Sequence, residues 1–224
     1  MEFGLLWAAL TAAALGWAGL HIWRERLPEN AADTLLTAAI AGLAFGRLVA
    51  MLAQGTNPLT RPADFIVIRG GVSTPAAAFA FIAVLVWAQR KDLRGIDAIA
   101  PAVLLGLGGW HAGCLWRGAC LGTPTELFWG WSQPGSAVDR HPVEIYAAIG
   151  LAIGSFLVGR LGWRPLTRAG TALAIASGVR LMTEPMRPSL TGGPIGWYWL
   201  AVALGVILVA AGPTLVRGRP AEPT

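Results

Sequence analysis

The chain has 224 residues, of which 55% are hydrophobic and 13% charged, with a mean hydropathy of +0.58 and a formal net charge of +5. That balance excludes an ordinary soluble domain and places the protein in a membrane. The sequence pI near 10.2 does not signal nucleic acid, because 16 of the 17 basic residues are arginines spread over loops rather than gathered on one face.

Seven apolar stretches have about the length needed to cross a hydrocarbon core of roughly 30 Å at about 1.5 Å per residue. They are predicted at 3–23, 31–53, 72–89, 96–115, 143–160, 166–183 and 195–216. The first reads as a helix rather than a signal peptide: Glu2 stands where a basic n-region belongs, and Trp17 to Trp23 continue past any small-residue cleavage site. The second carries Arg47 in the run AGLAFGRLVAML, where a charge near the bilayer centre costs about 2.5 to 3.5 kcal/mol unless it meets a partner or a wet cavity. The third follows the glycine pair of IRGGVS, and the fourth ends in GLGGWHAG, where small residues let backbones come close to each other or to a ligand. Cys114 and Cys120 lie at its outer end, at a spacing that fits no metal pattern and leaves a bridge undecided. No metal site and no cofactor motif is expected.

The fifth span opens in VDRHPVEIYAAIG, residues 138–150. Asp139 or His141 as N-cap, Pro142 in the first turn and Glu144 on the helix dipole would account for most of the polar types. They leave Arg140 and Tyr146 unexplained. The sixth span runs out through GVRLMTEPMRPSL, where Arg180, Glu184 and Arg187 fall on one helical face until Pro185 and Pro188 end the helix. Two readings stand side by side there: an Arg180–Glu184 ion pair that lets two charges share a buried place, or an anion pocket, since guanidinium groups match phosphate oxygens in a fork.

Connecting the spans sets the topology. Arg24, Arg26, Arg90, Lys91, Arg94, Arg160, Arg164, Arg168, Arg217 and Arg219 fall on one side of a seven-span arrangement. By the positive-inside rule that side is cytoplasmic, with the amino terminus outside and the carboxyl terminus inside. Tryptophans gather near both sets of span ends, Trp23, Trp87 and Trp163 on the inner side and Trp110, Trp116, Trp129, Trp131, Trp197 and Trp199 on the outer. The expected architecture is an all-α integral membrane protein with a single polytopic domain, 1–224.

Five segments in register on this pattern resemble the prolipoprotein diacylglyceryl transferases, seven-helix enzymes of the bacterial inner membrane. GLAFGRLVAML resembles that family's glycine and arginine motif, RGGVS its double-glycine loop, and GCLWRGACLGTPTELFWGW its loop ending in Gly-x-Pro-Thr. DRHPVEIYAAI is similar to its Arg-His-Pro-x-x-x-Tyr stretch, and GVRLMTEPMRP to its Arg-x-x-x-Glu-x-x-Arg-x-Pro series. The resemblance implies binding of phosphatidylglycerol and transfer of its diacylglyceryl group to the thiol of a lipoprotein precursor, releasing glycerol phosphate. It further implies that Arg47, Arg140, Arg180, Glu184 and Arg187 form a polar headgroup pocket, with His141 and Tyr146 at its rim.

The sequence also departs from the family pattern. After the double glycine the family has a histidine thought to be a base, and here Pro75 takes its place. In the next motif the family's arginine, asparagine and glutamate align with His111, Cys114 and Ala119, although a shift would recruit Arg117. General-base help is typically worth about 10² to 10⁴ in rate, so His111, together with Arg180, is the candidate for the catalytic role. Two functions remain open. One is a divergent transferase acting on a thiol or similar acceptor; the other is a catalytically inactive, lipid-binding accessory or structural subunit of a larger membrane complex. A transporter finds little support, because the ionisable residues gather at one face.

Overall fold

The computed structural model of the protein describes residues 4–217 apart from 25–26, 63, 65–70, 134, 163 and 189–192. Helices dominate: α1 Gly4–Ile22, α2 Ala31–Ala53, α3 Thr74–Ala88, α4 Arg94–Ala112, the short α5 Cys114–Arg117, α6 Val143–Arg160, α7 Thr167–Thr183 and α8 Ile195–Arg217. A 3₁₀ turn, Glu184–Met186, continues α7, and two two-residue strands, β1 Trp131–Ser132 and β2 Asp139–Arg140, pair antiparallel before α6. Four stretches, Ala31–Ala53, Arg94–Arg117, Val143–Arg160 and Ile195–Gly212, are long and apolar enough to cross a membrane by length and composition. Leu6–Ile22 and Thr74–Ala88 are shorter apolar helices.

Every predicted span coincides with a helix, and the limits of the second and fifth, 31–53 and 143–160, are reproduced by α2 and α6. Large apolar side chains such as Leu36, Ile40, Phe79, Trp87, Ile153, Phe156, Leu200 and Ile207 are exposed on these helices. Outward-facing hydrocarbon on that scale suits lipid rather than water.

The chain groups into two compact units, Leu27–Ile96 and the remainder. In the smaller one, α2 packs on α3 through the small residues Gly42 and Gly46, which leave room for the Ala77 carbonyl and the Val72 side chain. The Gly46 carbonyl accepts from the Ser73 amide at 3.0 Å, which ties the start of α3 to the middle of α2. Pro75 follows in the first turn of α3, where a missing N–H costs nothing.

In the larger unit, Leu104 of α4, Leu151 and Val158 of α6, and Ala172 of α7 form a buried cluster flanked by Leu107, Ile175 and Val179. Two helix ends here are satisfied from a neighbouring helix. The Asp97 carboxylate of α4 accepts from the amides of Leu166 at 2.6 Å and Ala169 at 2.8 Å, so it caps α7 from a neighbouring helix. Leu166 itself sits at φ 60°, a left-handed backbone that a non-glycine residue holds only when its surroundings impose it. In the opposite sense, Arg168 of α7 donates to the carbonyls of Leu161 and Gly159 and closes the carboxyl end of α6. Arg168 is therefore a buried structural cation. Arg69, Gly70, Trp163 and Arg219 lie outside the described residues.

Candidate functional site

The charged residues of interest collect where α4 ends, α6 begins and α7 passes into its 3₁₀ turn. Pro185 cannot donate to a preceding carbonyl, so the α-helical ladder stops at Thr183 and the chain tightens over Glu184–Met186. In a three-residue turn, positions i and i+3 eclipse. Glu184 and Arg187 consequently line up, and Arg180 lies one α-turn back from the same carboxylate.

Glu184, 5% exposed, lies between two guanidinium groups. Arg180 Nη2 is 3.3 Å from Glu184 Oε2 and Arg187 Nε is 3.5 Å from the same oxygen. The first is a hydrogen bond, whereas the second is an ion pair without one, because Nε and Nη2 of Arg187 are buried with no hydrogen-bond partner. Arg180 also donates from Nε and Nη2 to the Tyr198 hydroxyl, at 3.2 and 3.0 Å, with its guanidinium 5.4 Å from that ring's centroid. Tyr198 is buried while its neighbours Trp197 and Trp199 are exposed.

Glu144 forms the second hub. Arg187 Nη1 donates to Oε1, and His111 Nδ1 lies 2.6 Å from Oε2. With one oxygen held by a guanidinium, the group is a carboxylate, so the imidazole N–H is the donor in the second contact. His111 is 7% exposed at the end of α4. The chain of contacts thus runs from His111 through Glu144, Arg187 and Glu184 to Arg180 and Tyr198, joining α4, α6, α7 and α8.

Loop backbone holds the array in place. Gly122 N donates to His141 O at 2.8 Å, His141 N to Thr123 O at 3.0 Å, and Thr123 N to Met186 O at 2.8 Å. Segment 122–123 is thereby stitched on one side to the start of α6 and on the other to the 3₁₀ turn. Any side chain at Gly122 would collide with the Met186 carbonyl and the Val143 side chain. Cys114 and Cys120 form a disulfide, with Cα atoms 4.9 Å apart, and the Cys120 carbonyl accepts from the Glu144 amide at 3.3 Å. The bridge left open by the sequence therefore closes the loop that follows His111.

Among the expected pocket residues, Arg180, Glu184 and Arg187 come together. Arg140 donates from Nη1 to the Gly122 carbonyl at 3.1 Å. His141 and Tyr146 meet each other, with Nδ1 3.4 Å from the hydroxyl, and that hydroxyl accepts from Trp129 Nε1 at 2.7 Å. Arg47 belongs to the smaller unit, where it is 4% exposed and donates to the carbonyls of Asp64 and Gly71. Arg117 lies over the Trp110 ring at 5.5 Å. Neither Asp139 nor His141 caps α6: its N-cap is Pro142, with no side-chain cap, and Glu144 is committed to long-range partners rather than to the helix dipole alone. Glu144 and Tyr198 were not candidates on the sequence. The available signals were a carboxylate one residue inside an apolar span and one hydroxyl between two tryptophans.

The family model for prolipoprotein diacylglyceryl transferase matches residues 1–217. The chain belongs to that family. A phosphatidylglycerol–prolipoprotein diacylglyceryl transferase of Chlamydia trachomatis is 30% identical over 164 residues, covering 66% of this chain and 58% of the relative. Another, from Pseudoalteromonas atlantica, is 30% identical over 152 residues, 64% of this chain and 54% of the relative. One from Bordetella bronchiseptica is 26% identical over 208 residues, 84% of this chain and 78% of the relative. The match spans little more than half the length of the first two relatives. His111, the catalytic candidate of the sequence, is the residue that meets Glu144.

Proposed function

We propose that the chain is a seven-span protein of the bacterial inner membrane, a single polytopic domain with its amino terminus outside, that binds phosphatidylglycerol and transfers its diacylglyceryl group to a lipoprotein cysteine thiol. Arg180 and Arg187 hold the phosphate; the observation carrying this is that two guanidiniums flank one buried carboxylate, with buried Arg187 donors making no hydrogen bond. The two guanidiniums face two carboxylates, Glu184 and Glu144, so the pull on an anion comes from the buried Arg187 N–H groups that no acceptor takes, and a guanidinium fork suits phosphate oxygens. Arg140, His141 and Tyr146 line the rim, and His111 supplies the base.

The test is incubation of the purified protein with labelled phosphatidylglycerol and a lipobox peptide. Lipidated peptide and free glycerol phosphate are expected, with Arg180→Ala abolishing both. Absence of product under conditions where a family enzyme works would remove this reading. Pro75 favours the second reading, an inactive lipid-binding subunit of a membrane complex, whose signature is a stoichiometric partner after mild detergent extraction and no product.

A further inference from the structure

The His111–Glu144 contact links two residues on different helices, α4 and α6. We propose that Glu144 is a positioning residue which fixes His111 in the tautomer with its lone pair on Nε2, and that the pair carries the acceptor thiol's proton to the departing phosphate. This rests on the transferase reading above. Three observations support it.

First, the two carboxylate oxygens have different tasks. Oε1 takes Arg187 Nη1, and Oε2 takes His111 Nδ1 at 2.6 Å. A carboxylate can only accept, so a neutral His111 keeps its single ring proton on Nδ1. Second, Nε2 has no hydrogen-bond partner among the described residues, which leaves that lone pair available. Third, Arg187 ties the same carboxylate to the guanidinium array that would hold the leaving phosphate. A base placed beside that array stands next to both the proton's source and its destination.

The step balances as follows. Sulfur attacks the glyceryl carbon as Nε2 removes the thiol proton, so the S–C bond forms while the C–O bond to phosphate breaks. The bonding pair of that C–O bond leaves on the phosphate oxygen. The imidazolium, offset by Glu144, then returns its proton to the phosphate, and His111 is neutral again. Nothing is oxidised or reduced, and the thiol proton ends on glycerol phosphate.

Glu144→Gln is the informative variant, because glutamine offers one acceptor oxygen where two donors need one each. Its kcat should fall by about 10²- to 10⁴-fold while KM for phosphatidylglycerol changes little. Glu144→Asp should recover part of the loss. His111→Gly should be inactive and regain turnover in a saturable way with added imidazole, a response that a packing role does not produce. Nitrogen NMR of histidine-labelled wild-type protein should report an Nδ1-protonated His111, a measurement that needs neither activity nor a variant. Active wild type with an undiminished Glu144→Gln, an Nε2-protonated ring, or no imidazole rescue each overturns the inference and leaves the transferase reading standing. Wild-type protein that makes no lipidated peptide overturns both.

Discussion

At the scale of single residues, the array works by sharing acceptors among too many donors. Tyr198 is the cleanest place to perturb it, since its hydroxyl takes two N–H groups of Arg180 while its ring packs under the same guanidinium. Tyr198→Phe keeps the ring and removes only the acceptor. A hydrogen bond to a charged group is worth about 1.5 to 3 kcal/mol, which corresponds to roughly ten- to hundredfold in rate if it is made in the transition state. We expect kcat/KM for phosphatidylglycerol to fall within that range while the melting temperature in detergent shifts by only a few degrees, because Glu184 still holds Arg180. A wild-type rate would show that Arg180 needs no orientation from α8. The sequence made part of this array legible: Arg180, Glu184 and Arg187 are neighbours by helical spacing, and a proline-ended helix preserves that closeness. It could not supply Tyr198 or Glu144, which are 18 and 43 residues from the arginines they serve. Those partners depend on how helices pack, and periodicity along one helix carries no record of that.

At the scale of elements, the limits of the helices were readable because apolar runs stop at charges, prolines and glycines, and lipid leaves a spanning segment little alternative to a helix. Where each helix is capped was not readable. Asp97 lies 69 residues from Leu166 and 72 from Ala169, yet its carboxylate satisfies both amides at the start of α7. Removing it leaves two donors without an acceptor in a buried place and frees a strained Leu166, at a cost of about 2 kcal/mol or more. Asp97→Ala should therefore lower the melting temperature in detergent by several degrees, and Asp97→Asn, which keeps one acceptor oxygen, by less. Protease sensitivity should appear first in the 161–166 turn. Equal stability of Asp97→Ala and wild type would mean that α7 holds its own first turn. The same packing depends on bare backbone elsewhere: Gly170 of α7 and Gly205 of α8 face each other so closely that a methyl on either would press on the other's carbonyl oxygen. Small residues at a helix contact are what bilayer packing favours, and that pattern was visible in sequence without revealing which helices it joined.

For the molecule as a whole, the proposed orientation across the membrane rests on two independent chemistries at opposite ends of α6. One end adjoins the disulfide loop, since the Glu144 amide donates to the Cys120 carbonyl. Disulfides persist in an oxidising compartment, which for a bacterial membrane protein is the outer side. Sixteen residues after Glu144, the other end carries Arg160, followed by Arg164 in the next turn, and cytoplasmic loops are the ones enriched in such charges. At about 1.5 Å per residue α6 is close to 27 Å long, near the thickness of a hydrocarbon core, so the two ends cannot share a side if the helix spans. Cysteine labelling separates the possibilities, because both native cysteines are bridged and silent. Ser136→Cys, exposed in the loop before α6, should react with a membrane-impermeant maleimide in spheroplasts. Arg164→Cys, exposed beyond its far end, should react only after permeabilisation. The reverse pattern would put the disulfide in the cytoplasm and the arginine array on the wrong face for an exported acceptor, and equal labelling of both would mean that α6 does not cross. The expected pattern places His111, Glu144 and the two arginines in one outer layer, where a lipoprotein precursor's cysteine and a phospholipid headgroup of the outer leaflet can meet.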